Sequence, residues 1–365
     1  MLEIIFLILV SGYFIISASL VIGAKKTFPQ LTEGELPTVS IIVAARNEEK
    51  NILSCIDSLD KLIYTESKLE IIIVDDASSD STFKIISSFI HGKLKFRVIH
   101  QEENDSAILK GKVRAMAEGI KISTGEIILT TDADCIVHPL WAKTIASYYV
   151  GKVGVVNGYT SQTVKNSFSG MQAIDFVYLL FIAAGTINLG KPVSCIGNNM
   201  SFRKKAYQET GGFENLPFSV TEDFLLLNSI HKLKKYEVIY PLNRDSLVVS
   251  KPASSFGELF NQKKRWAVGG IDAPPLGTGL MFWAFLTNLF ILLTPFFFSA
   301  AWLYLVIFKI TIDFFVLLPV HQRLGLQKNL KYFPVFQFYY ILYVVFLPLT
   351  LIFNRKVVWK GRKYD

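Results

Sequence analysis

Five short polar clusters in this sequence have the composition and spacing that chemistry on a phosphorylated substrate requires. In Thr131-Asp132-Ala133-Asp134, two carboxylates stand two residues apart. Such a pair supplies hard oxygen ligands for a divalent ion, Mg²⁺ or Mn²⁺, which would bridge the diphosphate of a sugar nucleotide and neutralise charge on the leaving group. A bare Asp-x-Asp arises by chance about once in a chain of this length, so its setting must carry the argument. Asp75-Asp76-Ala77-Ser78-Ser79-Asp80 offers acceptors to a uracil N3–H or to ribose hydroxyls. It reads equally as a polar turn whose Asp80 caps the next helix. Gly111-Lys112 opens a helical pattern, where an ammonium and a helix N-terminus would together face phosphate; a solvated lysine is the plain alternative.

The remaining two clusters lie further along. Thr221-Glu222-Asp223-Phe224 provides a candidate general base for an acceptor hydroxyl, with Glu222 beside Asp223 to raise its pKa towards a useful value. Its plain reading is a helix start capped by Thr221. In Gln262-Lys263-Lys264-Arg265-Trp266, helical spacing puts Gln262, Arg265 and Trp266 on one face. There a guanidinium fork suits a diphosphate and an indole suits a sugar ring. Without the other clusters this would be an interfacial basic-aromatic girdle.

The elements that position these clusters follow from hydrophobic patterning. Val39–Ala45, Ile71–Val74, Phe96–Ile99 and Ile127–Thr131 read as strands, with helical stretches at Asn51–Leu62 and Lys112–Ile120 between them. Near-continuous apolar strands alternating with helices imply a mainly parallel sheet covered on both faces. Ligands of such sheets bind at the carboxyl ends of the strands, where the first three clusters fall.

The composition adds a membrane. Of 365 residues, 51% are hydrophobic and 29 are Phe, and the excess is clustered. Leu2 to Ala24 is an apolar run followed by Lys25-Lys26, which reads as an uncleaved anchor with an outward N-terminus. Further spans are expected at about 279–298, 301–320 and 334–353, while Phe176 to Leu189 reads as a buried or interfacial helix too short to cross. The net charge of +8 comes from Lys and Arg beside apolar segments, so it marks membrane flanks and excludes a nucleic-acid partner. Four full crossings would put the basic tail, Arg355 to Lys363, outside, against the positive-inside tendency. One C-terminal segment is therefore expected to be re-entrant or interfacial, with Pro295, Asp313 and Pro348 as the sites of departure. Cys55, Cys135 and Cys195 are scattered and fit reduced thiols.

Taken in order, Asp-Asp, Asp-x-Asp, Glu-Asp and Gln-x-x-Arg-Trp in one α/β domain flanked by spans resemble the membrane-embedded inverting family 2 glycosyltransferases of GT-A fold. Cellulose, chitin and hyaluronan synthases and ceramide glucosyltransferase belong to that branch. The resemblance implies a Rossmann-like GT-A domain with one N-terminal and two to three C-terminal transmembrane helices. Its segments are an anchor at 1–24, a linker at 25–38, a cytosolic catalytic domain at 39–255, an interfacial helix at 256–278, membrane or re-entrant segments at 279–353 and a basic tail at 354–365. It assigns Ala45, Glu48, Asp75, Asp76, Lys112, Asp132, Gln262 and Arg265 to the donor, and Asp132 and Asp134 to the metal. Gly197, Asn198, Asn199 and Trp266 fall to the acceptor, and Asp223 with Glu222 and Arg265 to catalysis. Trp359-Lys360-Gly361-Arg362 resembles a cytosolic tail element of lipid-directed members.

The expected activity is transfer of one sugar, or few, from a nucleotide-sugar donor, a UDP-sugar, to a lipid or glycan acceptor at the cell (inner) membrane. The chain is much shorter than a typical polysaccharide synthase, which makes a processive β-linked synthase the second reading. An inactive polysaccharide-binding subunit is the third. A nucleotidyltransferase would not need the Glu-Asp and Gln-x-x-Arg-Trp elements.

Overall fold

The computed structural model describes the chain from Met1, except residues 105–108, 218, 220, 271–273, 354–356, 360, 361 and 365, and describes no side chains from 352 onward. The chain divides into two compact units. One comprises Lys26–Ser161 with Cys195–Lys251; the other comprises Met1–Lys25, Gln162–Ser194 and Pro252–Asp365.

The first unit is built on a seven-stranded sheet. Its strands are β1 (Val39–Ala45), β2 (Leu69–Asp76), β3 (Phe96–Gln101), β4 (Ile127–Asp132), β6 (Val153–Asn157), β8 (Met200–Arg203) and β9 (Glu237–Ile239). They are arranged in the order β3-β2-β1-β4-β8-β6-β9. Pairings β1–β2, β2–β3, β1–β4 and β6–β9 are parallel, and only β8 runs against its neighbours. The inner strands are apolar on both faces because both faces are covered. Ile41, Val43, Ile71, Ile73, Ile127 and Leu129 share a buried core with Ile52, Ile56 and Leu59 of α2 (Ile52–Asp60). On the opposite face α4 (Gly111–Ile122) packs across β1 and β2. The strands expected from the sequence are all present: β1 matches throughout, β2 runs two residues further at each end, β3 two further at its end and β4 one further. A second sheet of β5 (Ile136–Val137), β10 (Val248–Ser250) and β7 (Thr160–Gln162) was not visible in the sequence. Its strands are too short to show alternation.

In the other unit, α1 (Leu2–Ala24), α6 (Ser167–Asn188), α10 (Pro275–Leu292), α11 (Ala300–Leu324) and the segment ending in α12 (Phe333–Phe353) are long and apolar enough to cross a membrane. Helix α6 is longer than its apolar stretch suggested. A capping box starts it early: the Asn166 side chain accepts from the Ser169 amide at 2.9 Å, so polar Ser167, Gln172 and Asp175 belong to it.

Helix α11 is continuous through Asp313, so the expected departure does not occur there. Lys309 and Asp313 are buried and bonded at 2.7 Å. Tyr13 of α1 (2.6 Å) and Gln337 of α12 (2.7 Å) donate to Asp313, and Lys309 donates to Asn288 of α10 (3.0 Å). Pro295 lies between α10 and α11, and Pro348 lies inside α12. Val357–Trp359 (β11) and Arg362–Tyr364 (β12) pair antiparallel. Lys360 and Gly361 of the expected tail motif, and Arg355 of the basic tail, fall outside the described residues.

Candidate active site

Register aligns the polar clusters along one edge of the large sheet. Ala45 stands opposite Asp75, Asp75 opposite His100, Asp76 opposite Gln101, and Ala44 opposite Asp132. The carboxyl ends of β1 to β4 thus form a single rim. Because β8 runs the other way, its start lies on the same rim: Thr130 pairs with Met200, and Met200 with Asn157 at the end of β6.

Asp75 is fully buried, with Oδ2 on His100 Nδ1 at 2.8 Å and receiving the Ser78 amide at 3.3 Å. Its Oδ1 is buried with no hydrogen-bond partner among the described residues, an acceptor that a ligand N–H would satisfy. Arg46 donates to the Asp76 backbone carbonyl at 2.8 Å and lies 3.8 Å from its carboxylate. The chain turns sharply after both strands, with Asn47 and Ala77 at φ of 53° and 51°. Asn47 fastens the turns together, donating its backbone N–H to Ser78 Oγ (3.0 Å) and accepting from the Ser79 amide (2.9 Å). Alanine pays a steric cost there, the kind of strain that collects at functional loops. Asp80 accepts from the Thr82 amide at 2.9 Å and so satisfies the first N–H of the helix Thr82–Ile90, whose N-cap position is Ser81 rather than Asp80. Glu48 is buried, bonded to Thr82 and Asn51.

Lys112 is set by Gly111, whose φ of 58° is open to glycine at little cost. The ammonium reaches Asp132 Oδ1 at 2.6 Å. Burial works against its charge, but Asp132, Glu222 and Asp223 outweigh it and hold the lysine pKa above its ordinary value. The Lys112 ammonium thus bonds the Asp-x-Asp cluster and feels the charge of the Glu-Asp cluster, a relation the sequence alone did not give.

Donor atoms of Asp132, Asp134 and Cys135 lie within 4.8 Å of one another. The two carboxylates are part-exposed and the thiol is buried, a set that fits a divalent cation. Burial and then Asp134 and Asp132 push the Cys135 thiol well up, and the same three influences push up neighbouring Cys55.

Asp223 opens α8 (Glu222–Lys232), and Thr221 makes no side-chain cap bond. The acceptor-side loop Gly197–Asn199 lies against it. A Cβ on Gly197 would stand 3.2 Å from both Cβ and Oδ2 of Asp223. That loop is tied to β4 by the Thr130 hydroxyl, which donates to the Gly197 carbonyl at 2.6 Å. The side-chain amides of Asn198 and Asn199 serve the scaffold. Asn198 accepts from Thr160 (2.8 Å); Asn199 accepts from Trp141 (2.9 Å) and donates to the Tyr159 and Ser246 carbonyls (2.7 and 2.9 Å). Sequence reading missed Asn157, fully buried at the rim with neither amide atom partnered among the described residues. Its signal was a lone amide ending an apolar strand.

Gln262, Arg265 and Trp266 belong to the other unit, on α9 (Phe256–Gly269). Within it, Trp266 stacks on Phe176 of α6 with centroids 5.5 Å apart. Lys263, which drew no attention in the sequence, is the buried member of the motif. Its ammonium bonds the buried Asp175 carboxylate and lies 4.6 Å from the Trp266 ring.

The α/β sheet thus carries aspartates along its carboxyl edge, one pair of which could hold a cation, the arrangement that the family resemblance implies. The comparisons agree: residues 127–354 match "Glycosyl transferase family group 2", residues 40–211 match "Glycosyl transferase family 2", and the chain belongs to this family of sugar-transferring enzymes. It is 27% identical to a β-monoglucosyldiacylglycerol synthase of Trichormus variabilis over 68% of this chain and 52% of that one. It is 28% identical to a poly-β-1,6-N-acetyl-D-glucosamine synthase of Staphylococcus epidermidis over 74% and 63%. The chain spans little more than half the length of the first of these relatives. Its GT-A fold is that of a mannosyltransferase from Pyrobaculum calidifontis solved with GDP-Man and Mn²⁺, at a TM-score of 0.59 and 19% identity over 92% of this chain and 98% of that one.

Proposed function

We propose that the chain moves a sugar, with inversion, from a UDP-sugar to the hydroxyl of a lipid-linked or membrane-partitioned acceptor. One observation carries the reading: Asp75 and Asp132 end the strands on either side of β1, and Asp223 lies against the Gly197 loop that Thr130 ties to β4. The free oxygen of Asp75 accepts the N3–H of the base. A divalent ion on Asp132 and Asp134 would neutralise the departing diphosphate. Asp223 takes the acceptor proton as the hydroxyl attacks the anomeric carbon. By resemblance, Gln262 and Arg265 grip the pyrophosphate and Trp266 meets the acceptor.

The acceptor class is tested by incubating isolated membranes with a panel of radiolabelled sugar nucleotides. Label extracted by organic solvent is expected, as the lipid product named for the first relative suggests. Label in insoluble polymer would instead support a processive synthase, as the second relative is named.

Two further outcomes follow from the geometry. Gly197→Ala brings a methyl against Asp223 at a distance that forces a few tenths of an ångström of movement. Nucleotide binding is expected to hold while turnover falls by about 10-fold to 10²-fold, the scale of a misplaced reacting group. Unchanged turnover would detach this loop from the base. For sidedness, tags after Pro29 or within 321–331 are expected to resist external protease in intact cells, since Lys25, Lys26, Arg323, Lys328 and Lys331 mark the inner face. Cleavage at either position would reverse the topology.

A further inference from the structure

We infer that His100 is a positioning residue that selects the base of the donor: by holding one oxygen of Asp75 it leaves a single acceptor, which fits uracil and not guanine. This rests on the proposed reading in which Asp75 meets the nucleobase. Asp75 is fully buried near the end of β2, and its two oxygens differ. Oδ2 lies 2.8 Å from His100 Nδ1 and receives the Ser78 amide at 3.3 Å, whereas Oδ1 is buried and unpartnered among the described residues. A carboxylate oxygen only accepts, so Nδ1 carries the proton and donates. One oxygen is thus taken. The other is shut away from water with no donor in return, a deficit that a ligand N–H would make good.

The pairing is set by the backbone. His100 stands directly opposite Asp75 in the parallel β2–β3 ladder, and its ring lies 4.5 Å from that of Phe83, on the helix Thr82–Ile90. The histidine side chain is 43% exposed while that of Asp75 is fully enclosed, so a change at His100 leaves the core closed.

The consequence is a choice between bases. Uracil presents one ring N–H between two carbonyl oxygens, so it can use a single carboxylate oxygen; a second aimed at the same edge would face a carbonyl. Guanine presents its N1–H and N2–H₂ side by side, and satisfying both takes two acceptors. Giving guanine its second bond would draw Oδ2 away from His100 and strip the imidazole N–H of its acceptor. Ribose and diphosphate are common to UDP and GDP, so the ratio of their affinities isolates the base.

The test titrates the full chain in detergent, with Mn²⁺ present, against UDP and GDP in separate calorimetric runs. The wild type is expected to favour UDP by about 10–100-fold, the scale of one hydrogen bond to a charged group. His100→Leu removes the donor; UDP should weaken by about 10-fold and the ratio should approach one, since Oδ2 becomes open to guanine. His100→Asn should keep the wild-type ratio, because its Nδ2 takes the place of Nδ1 on the same Cγ. A residue that served the fold alone would weaken both nucleotides equally. An unchanged ratio in His100→Leu, a ratio that collapses in His100→Asn as well, or loss of both nucleotides in both variants overturns the inference, as does wild type that binds GDP as tightly as UDP. Asp75→Asn tests the reading underneath. Weakened UDP binding there, beside an unchanged ratio in His100→Leu, removes His100 alone; unaltered binding of both nucleotides takes Asp75 off the base, and the inference falls with it.

Discussion

Asp223→Asn is expected to bind nucleoside diphosphate with near-native affinity while transfer falls by about 10²–10⁴-fold. An inverting transfer is a single displacement, so one carboxylate must accept the acceptor proton as the hydroxyl attacks. On the proposed reading Asp75, already bonded to His100, serves the base, and Asp132 with Asp134 serves the cation, so neither cluster is free for the task. Asp223 belongs to neither: its charge and that of Asp132 both act on the Lys112 ammonium, and it lies against the Gly197 loop. The amide of asparagine keeps the shape and removes the basicity. Glu222→Gln should be milder, because Glu222 influences the site through charge rather than contact with the proton. Separate measurements of nucleotide affinity and turnover decide the matter. Loss of nucleotide binding would mark a donor-site role, and preserved transfer would remove Asp223 from the mechanism.

Asp134→Asn is expected to lose donor binding as well as turnover, and excess chelator should abolish transfer by the wild type until Mg²⁺ or Mn²⁺ is restored. The reasoning differs from that for Asp223. A neutral amide cannot balance a divalent charge, so the donor diphosphate would meet the Asp132 carboxylate without a bridging cation. Repulsion then opposes binding itself, before any chemistry. Calorimetric titration of nucleoside diphosphate with and without chelator reads this directly. Full activity in excess chelator would sink the metal assignment.

The site was legible in proportion to how local its signals were. Strand β1 matched its expected bounds because a strand buried on both faces is a continuous apolar run ended by polar residues. Asp75, Asp132 and Asp134 announced themselves by following such runs. What joins the clusters was not legible. The Lys112–Asp132 bond spans 20 residues, and the Gly197–Asp223 contact depends on β8 entering the sheet antiparallel. No periodicity encodes either. Lys263 was passed over for Arg265 because sequence shows a basic run, not which member turns inward. Only Asp175, 88 residues away on α6, makes that choice. The early start of α6 was hidden for a related reason: Gln172 and Asp175 look like loop residues until their partners, Ala253 and Lys263, are seen.

The buried pair Lys309–Asp313 has a consequence for how the chain is made. A lone charge near the centre of a nascent membrane helix costs about 2.5–3.5 kcal/mol to insert. Spaced four residues apart on α11, these two can cancel each other before any other helix arrives. Their remaining partners appear in order of synthesis. Tyr13 is made first, with α1, then Asn288 with α10, and Gln337 last, with α12. Each new helix therefore adds a hydrogen bond to a site already waiting in the bilayer, and the last donor to Asp313 arrives only when the final helix has left the ribosome. A chain cut short before residue 337 would leave that oxygen short of a donor. Of the donors to Asp313, Gln337 is thus the last to be made.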